Sequence, residues 1–138
     1  MKFHAIGLMS GTSLDGLDIC YASFEKSSNG WNFEILQAET YKYSKIWEEK
    51  LRTSFSISAP ELMELHSEYG FYLGKEVATF IDENKISKVD IIASHGHTIF
   101  HQPNKKYTTQ IGDGRTIKLL NKFQVAYDFR SQDVLMGG

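Results

Sequence analysis

The sequence predicts an α/β layered domain with a mixed β-sheet that opens with three antiparallel strands. Three apolar or β-branched segments follow one another within residues 3–43, separated by a polar loop and an Asn29-Gly30 turn. The rest of the chain alternates segments of helical periodicity with short apolar runs that are typical of buried strands. With 138 residues, of which 41% are apolar and 23% charged, the chain is long enough to bury one core.

The opening strands are predicted at residues 3–8, 17–24 and 31–43. The first two are apolar enough to be covered in part on both faces. The turn before the third is predicted from its Asn-Gly pair, because both residues tolerate positive φ.

Two helices are predicted next. Apolar residues recur at helical spacing over residues 45–55, which predicts a short amphipathic helix. Ser58, with a proline in the first turn and a glutamate three residues on, is a capping-box start for a longer helix that runs to about residue 84. Gly70 and Gly74 within that helix cost of order 1 kcal/mol each relative to alanine. We therefore expect close packing of another element against them.

Shorter elements complete the prediction. Residues 89–93 and 108–111 are predicted as strands, residues 114–122 as a helix and residues 123–129 as a final strand. We expect these later strands to be parallel. The last residues are apolar and end in Gly137-Gly138, which is typical of a sequence cut within a longer protein.

Composition limits the classes of partner. A net charge of -2, with both signs scattered, gives no basic surface for nucleic acid or an anionic membrane, so a small molecule is the expected partner. Cys20 has no second cysteine to pair with and lies in an apolar run, so we expect a buried apolar side chain rather than a reactive thiol. No membrane span or signal peptide is predicted, and a reducing cytoplasm is the expected location.

Polar loops follow four of the predicted strands, at residues 9–18, 95–97, 112–114 and 128–130. In open α/β sheets, ligands bind in the crevice outside the carboxyl ends of the strands. The four loops are therefore predicted to line one cleft.

The first loop, MSGTSLDGLD, has two interpretations that the residues leave open. Glycine, serine and aspartate are ordinary turn residues, so it can be a plain hairpin. Alternatively, its amides and the hydroxyls of Thr12 and Ser13 can hold phosphate oxygens. Asp15 and Asp18 would repel bare phosphate, so this second interpretation requires Mg²⁺ between them and a nucleotide. The loop matches neither a P-loop nor a GxGxxG fingerprint.

The other loops also allow structural and functional interpretations. His95, His97 and His101 could be considered as zinc ligands, but a hydrogen bond to a polar ligand is favoured for the first two and a structural role for His101. Asp113 can cap the following helix or contact a ligand. The carboxylate of residue 128 and the guanidinium of residue 130 can pair at the surface or recognise hydroxyl and carboxylate groups.

Four blocks of the sequence together resemble the anhydro-N-acetylmuramic acid kinase family. They are GLMSGTSLDGLD, ASHGHTIFHQP, TTQIGDGRTI and DFRSQDVLMGG, in the family's order and approximate spacing. The resemblance covers essentially the whole chain but only the amino-terminal part of the family pattern. It implies an actin-like, ribonuclease H-like sugar-kinase ATPase domain, with helices on both faces of the sheet, as the first of two domains; the second is absent from residues 1–138.

The resemblance also implies an activity. Family members use ATP and water to open the 1,6-anhydro ring of anhydro-N-acetylmuramic acid and yield the 6-phosphate, in the recycling of cell-wall sugar. The implied cofactors are ATP and Mg²⁺, and a homodimer is left open as the oligomeric state. A kinase for another anhydro sugar, or a non-catalytic nucleotide- or sugar-binding module, remains the alternative.

The implied site residues form two groups. The nucleotide group is the opening loop, in which Asp15 and Asp18 would handle Mg²⁺ directly or through water: Gly11, Thr12, Ser13, Leu14, Asp15, Gly16, Leu17 and Asp18. The sugar group comes from the three later motifs: His95, His97, Asp113, Asp128 and Arg130.

Two departures from the family pattern matter. The family commonly has glutamine where this chain has His97, so the sugar contact at that position can differ. The family's general base lies in a downstream Asp-Thr-Gly-Pro motif that residues 1–138 do not contain. No catalytic residue is therefore assigned within the chain, and residues 1–138 alone are expected to have little or no activity.

Overall fold

A computed structural model describes all 138 residues as a six-stranded mixed sheet with four α-helices. The strands are β1 (Lys2–Ser10), β2 (Leu17–Ser27), β3 (Gly30–Tyr41), β4 (Ile91–Gln102), β5 (Tyr107–Ile111) and β6 (Val125–Tyr127). The helices are α1 (Lys45–Thr53), α2 (Ala59–Glu83), α3 (Gly114–Asn121) and α4 (Phe129–Leu135). The strand order is β3-β2-β1-β4-β5, and β6 also pairs with β4.

The opening of the fold confirms the sequence prediction. β1, β2 and β3 are consecutive antiparallel neighbours. α2 begins with the predicted capping box, in which the Ser58 side chain accepts a hydrogen bond from the amide of Glu61 and the Glu61 carboxylate accepts one from the amide of Ser58. Two donors that the helix cannot satisfy internally are thereby paired.

The hydrophobic core lies on one face of the sheet. Ile6 and Leu8 of β1 and Ile92 of β4 pack with buried residues of α1, α2 and α3 in a single cluster. The opposite face of the sheet leaves apolar side chains exposed, among them Phe33 and Ile35. Helices α1 to α3 thus share one face, and the prediction of helices on both faces is wrong for the part of the sheet formed by β1 to β3.

β4 differs most from its prediction. It was expected to end before residue 94, but it continues to Gln102 through a bulge, at which His95 and Gly96 lie opposite the single residue Met9 of β1. Gly96 has a φ of 72°, and a Cβ there would lie 2.5 Å from the carbonyl oxygen of Ile111. Only glycine fits both conditions, so the bulge depends on it.

The directions of the later strands are only partly as predicted. β4 is parallel to β1 and to β6, as expected. β5 is antiparallel to β4, because it returns from a tight connection, with a 3₁₀ turn at Pro103–Lys105, and pairs with the second half of the extended β4.

Helix α2 packs closely against α3, which explains its two glycines. A Cβ at Gly70 would lie 2.6 Å from the amide nitrogen of Asp113. A Cβ at Gly74 would meet the Leu120 side chain at 2.8 Å. The expected close packing is confirmed, and it fixes the position of the loop between β5 and α3.

The end of the chain contains a helix that periodicity did not predict. β6 stops at Tyr127, Asp128 takes a left-handed conformation with a φ of 57°, and α4 follows at once.

Cys20 is only partly buried and makes no disulfide. None of the helices has the length and apolar character needed to span a membrane.

Candidate functional site

The polar loops converge at one level of the sheet. Ser10, at the end of β1, lies beside His97 of the parallel strand β4. Ile111, at the end of β5, pairs with the same His97 from the other side. Tyr127, at the end of β6, pairs with Ser94. The three loops that follow Ser10, Ile111 and Tyr127 therefore start within a few residues of the β4 bulge, and the predicted fourth loop at residues 95–97 is this bulge within β4.

A cavity of about 320 Å³ opens beside the bulge. Its walls come from the first half of α2, the middle of β4, all of β5 except its first residue, and the residues around the start of α4. Of the sequence-predicted sugar residues, His95 and Asp128 line this cavity.

His95 has two contacts within the chain, with Gly96 and with Phe129. Its Nδ1 lies 3.1 Å from the Gly96 carbonyl oxygen, which can only accept, so Nδ1 carries a proton in this geometry. Its ring also lies 6.3 Å from the ring of Phe129. The bulge separates this side chain from that of His97, whereas a regular strand would put both on one face.

His97 is buried, with 4% of its surface exposed, and does not line the cavity. Its Nδ1 lies 2.9 Å from the hydroxyl of Ser10. Burial, and secondarily the charge of His95, lower the pKa of His97 to about 4, so its imidazole is neutral at physiological pH.

Asp113 caps helix α3, which confirms the structural alternative for this residue. Its carboxylate accepts a hydrogen bond from the Arg115 amide at 2.9 Å and a bidentate pair from the Arg115 guanidinium. These bonds lower the pKa of Asp113 below its usual value. The residue is 6% exposed and lies behind the cavity wall rather than in it.

Asp128 and Arg130 do not form an ion pair. The Asp128 carboxylate accepts a hydrogen bond from the Ser131 hydroxyl at 2.5 Å and faces the cavity. The Nε of Arg130 is buried without a hydrogen-bond partner. A buried guanidinium nitrogen with no acceptor is costly, so this group has capacity for an anionic or polar partner.

Three further cavity residues were not singled out from the sequence. Ser94 is 1% exposed and its Oγ has no partner, and the Oε1 of Gln110 is likewise buried and unpaired. Both lie inside quoted motifs, so the motifs were the available signal. His66, whose Nδ1 accepts from the Gly112 amide at 3.2 Å, has no signal in the sequence, because its role depends on a contact between residues 46 positions apart.

The opening loop is a hairpin whose tip leaves donors free. The amides of Thr12, Ser13 and Asp15 make no hydrogen bond within the chain, while the Leu14 amide closes a turn on Gly11. Amides left without a partner in a loop suit an anion.

The two loop carboxylates are exposed and only partly engaged. The Ser13 hydroxyl donates to Asp15 at 2.7 Å, and the Thr40 hydroxyl donates to Asp18 at 2.5 Å. Gly16 lies tightly under the neighbouring strand, where a Cβ would meet the Tyr41 carbonyl oxygen at 2.7 Å. The hairpin and anion-binding interpretations are therefore compatible.

No group of three or more His, Cys, Asp or Glu side chains is placed to hold a metal by itself. His101 is exposed, and its Nδ1 lies 3.2 Å from the Thr108 hydroxyl. Mg²⁺ usually needs only one or two carboxylates when phosphate oxygens and water complete its shell. Asp15 and Asp18 fit that kind of site.

Comparison with known proteins gives consistent matches. The family model for anhydro-N-acetylmuramic acid kinase matches residues 3–138. The protein of that name from Rhodopseudomonas palustris (strain ATCC BAA-98 / CGA009) is 33% identical over 150 residues, covering 100% of this chain and 40% of that protein. The one from Pelagibacter ubique is 35% identical, covering 99% and 38%, and the one from Coxiella burnetii (strain Dugway 5J108-111) is 36% identical, covering 99% and 37%.

The chain thus spans about two fifths of the length of these curated relatives. It corresponds to an amino-terminal part of them.

Proposed function

The chain belongs to the anhydro-N-acetylmuramic acid kinase family, and from that premise we propose that it is the amino-terminal part of an ATP-dependent kinase that opens 1,6-anhydro-N-acetylmuramic acid with water and phosphorylates O6. The observation that supports this most is that the opening loop and the polar cavity both lie next to the β4 bulge. A kinase must hold a nucleotide phosphate and an acceptor side by side.

The nucleotide side of the proposed site is the hairpin of residues 11–18. The free amides of Thr12 and Ser13, with their hydroxyls, would bind the ATP phosphates. Asp15 and Asp18 would hold Mg²⁺ directly or through water, and the ion would neutralise charge on the phosphates when bound.

The sugar side is the cavity. His95 and Asp128 line it, and Ser94 and Gln110 add buried polar atoms that have no partner within the chain. A polyhydroxylated ring needs several donors and acceptors at fixed places. Arg130 does not line the cavity itself, but its unpaired Nε makes it a further candidate donor to a carboxylate or hydroxyl. Asp113 would act indirectly, by fixing the start of α3 and the loop that precedes it.

The proposed reaction breaks the bond between the anomeric carbon and O6. Water attacks the anomeric carbon and becomes its hydroxyl, while O6 forms a bond to the γ-phosphorus and ADP leaves. The residues of this chain would bind and orient the two substrates, because phosphoryl transfer depends mainly on positioning and charge stabilisation. The proton of the attacking water would go to a base outside residues 1–138.

The finer features of the family complete the proposal. They include an actin-like fold and a second domain that closes over the cleft and excludes competing water. They also include a cytoplasmic location and a role in cell-wall sugar recycling. A homodimer is the oligomeric state to test. Without that second domain, residues 1–138 would bind ligands but turn over little.

The test is release of ADP by the natural full-length protein, measured with and without anhydro-N-acetylmuramic acid. We expect release only when the sugar is present, and a product that carries phosphate on O6. A reaction that proceeds without ATP would contradict the proposal. Faster turnover of levoglucosan would instead identify a kinase for another anhydro sugar, and binding without turnover would identify a binding module.

A further inference from the structure

Four buried side chains are linked by a continuous series of hydrogen bonds near the site. The Tyr43 hydroxyl lies 2.6 Å from that of Tyr69 and donates to the Ser10 hydroxyl at 2.7 Å, and Ser10 in turn lies 2.9 Å from Nδ1 of His97. Each of the four residues is at most 6% exposed. They come from four places in the fold: the end of β1, the segment after β3, the middle of α2 and the residue after the β4 bulge.

The direction of the protons follows from counting donors. Tyr43 gives its proton to Ser10, so Tyr69 donates to Tyr43. The Ser10 proton has His97 Nδ1 as its one acceptor within the protein, so Ser10 donates to that nitrogen. The reverse order would leave the Tyr69 proton with no acceptor at a position that is 0% exposed. His97 is therefore the terminal acceptor, with its proton on Nε2.

This series of hydrogen bonds joins the nucleotide side of the proposed site to its sugar side. Ser10 is the last residue of β1 and immediately precedes Gly11, where the opening loop begins. His97 follows the bulge that carries Ser94 and His95 to the cavity. The bulge disrupts regular pairing between β1 and β4 at this level, so a side-chain bond takes over the connection there.

We propose that His97 is a positioning residue. Its Nδ1 accepts a hydrogen bond from the Ser10 hydroxyl and thereby fixes the start of the opening loop relative to the part of β4 that lines the cavity. The proposal rests on the function proposed above for the loop. A loop that is fixed before ATP arrives loses less conformational freedom on binding. Loss of the bond would therefore weaken ATP binding more than sugar binding.

The two ring nitrogens of His97 can be tested separately. Asparagine places an oxygen near the position of Nδ1, and glutamine places its amide near the position of Nε2. His97→Leu fills the buried position with an apolar side chain and removes both nitrogens. We expect His97→Leu to raise KM for ATP by about 5- to 10-fold, the size of one hydrogen bond, in the natural full-length protein. His97→Asn should stay within about threefold of the parent, and His97→Gln should resemble His97→Leu.

A second pair of variants tests the tyrosine end of this series of hydrogen bonds. Tyr43→Phe removes the donor to Ser10 and should raise KM for ATP by about fivefold. Tyr72→Phe is the matched control, because Tyr72 packs on Tyr69 with ring centroids 5.8 Å apart but its hydroxyl makes no hydrogen bond within the chain. It should leave KM unchanged.

Hydrogen exchange provides a readout that does not require activity. In His97→Leu, the amides at the base of the loop, over residues 8–17, should exchange faster than in His97→Asn. Equal exchange in the two variants would overturn the proposal, as would a His97→Leu protein with the parent's KM for ATP. Rescue by glutamine but not asparagine would also overturn it and would indicate a ligand contact through Nε2. If the parent itself turns over no ATP, the proposed function fails, and exchange alone decides the role of His97.

Discussion

The buried imidazole of His97 makes a quantitative prediction about acid stability. Its pKa is lowered from 6.5 to about 4 in the folded chain, mainly by burial. As the pH falls below about 6.5, the unfolded chain takes up a proton at this residue while the folded chain does not, so the free energy of unfolding decreases. The decrease stops once the pH passes the folded-state pKa near 4.

The magnitude follows from the two pKa values. A difference of about 2.5 in pKa corresponds to about 3 kcal/mol when the full window is crossed, and to about 2 kcal/mol between pH 7 and pH 5. Because the residue is 4% exposed, solvent screens little of this effect. For a domain of this size, 2 kcal/mol is a large fraction of the total stability.

The assay is urea unfolding of the parent, His97→Asn and His101→Asn at pH 7, 6 and 5. Asparagine keeps the acceptor for Ser10 but does not titrate, so the His97→Asn protein should lose about 2 kcal/mol less than the parent over this range. His101→Asn removes an exposed imidazole and controls for the loss of a histidine as such. The same pH dependence in the parent and His97→Asn would refute the reasoning.

Three further predictions concern the site and its support. Asp18→Asn should lower sugar-dependent ADP release by about tenfold or more if this carboxylate handles Mg²⁺; release at the parental rate would exclude that role. Ser94→Ala should raise KM for the sugar by about 5- to 10-fold with an unchanged melting temperature, since its Oγ has no partner in the chain; an unchanged KM would remove it from the sugar site. Gly70→Ala should destabilise the fold by about 1–3 kcal/mol, because its Cβ would collide with the backbone of Asp113, and Gly74→Ala should cost less, because it meets a flexible side chain; thermal unfolding that ranks them otherwise would contradict this packing.

Local chemistry explains which elements the sequence predicted. The capping box at Ser58, the Asn29-Gly30 turn and the three opening strands depend on neighbouring residues, and each is present in the structure. The limits of β4 and the direction of β5 were not predicted, because they depend on how Gly96 fits against Ile111. That contact joins two strands, and periodicity along either strand carries no record of it.

The site shows the same division. The motifs gave the residues that line the cavity at His95 and Asp128, and the cap at Asp113 was one of two alternatives left open. His66 was missed, since only the packing of α2 brings it to Gly112. His97 was predicted to contact the sugar, and its burial on the Ser10 hydroxyl follows from the bulge, which a pattern of alternating residues does not contain.

The bulge also sets which side of the sheet each residue of the second half of β4 faces. Ser94 pairs with Leu8 and His97 with Ser10, so residues three apart share a face. If the same residues followed strict alternation without the bulge, every residue of the strand after Gly96 would lie on the opposite side of the sheet. His97 would then leave the core, and the β4–β5 hairpin would present its other surface to the cavity. The one extra residue at the bulge thus decides which face of the sheet the second half of β4 presents to the core.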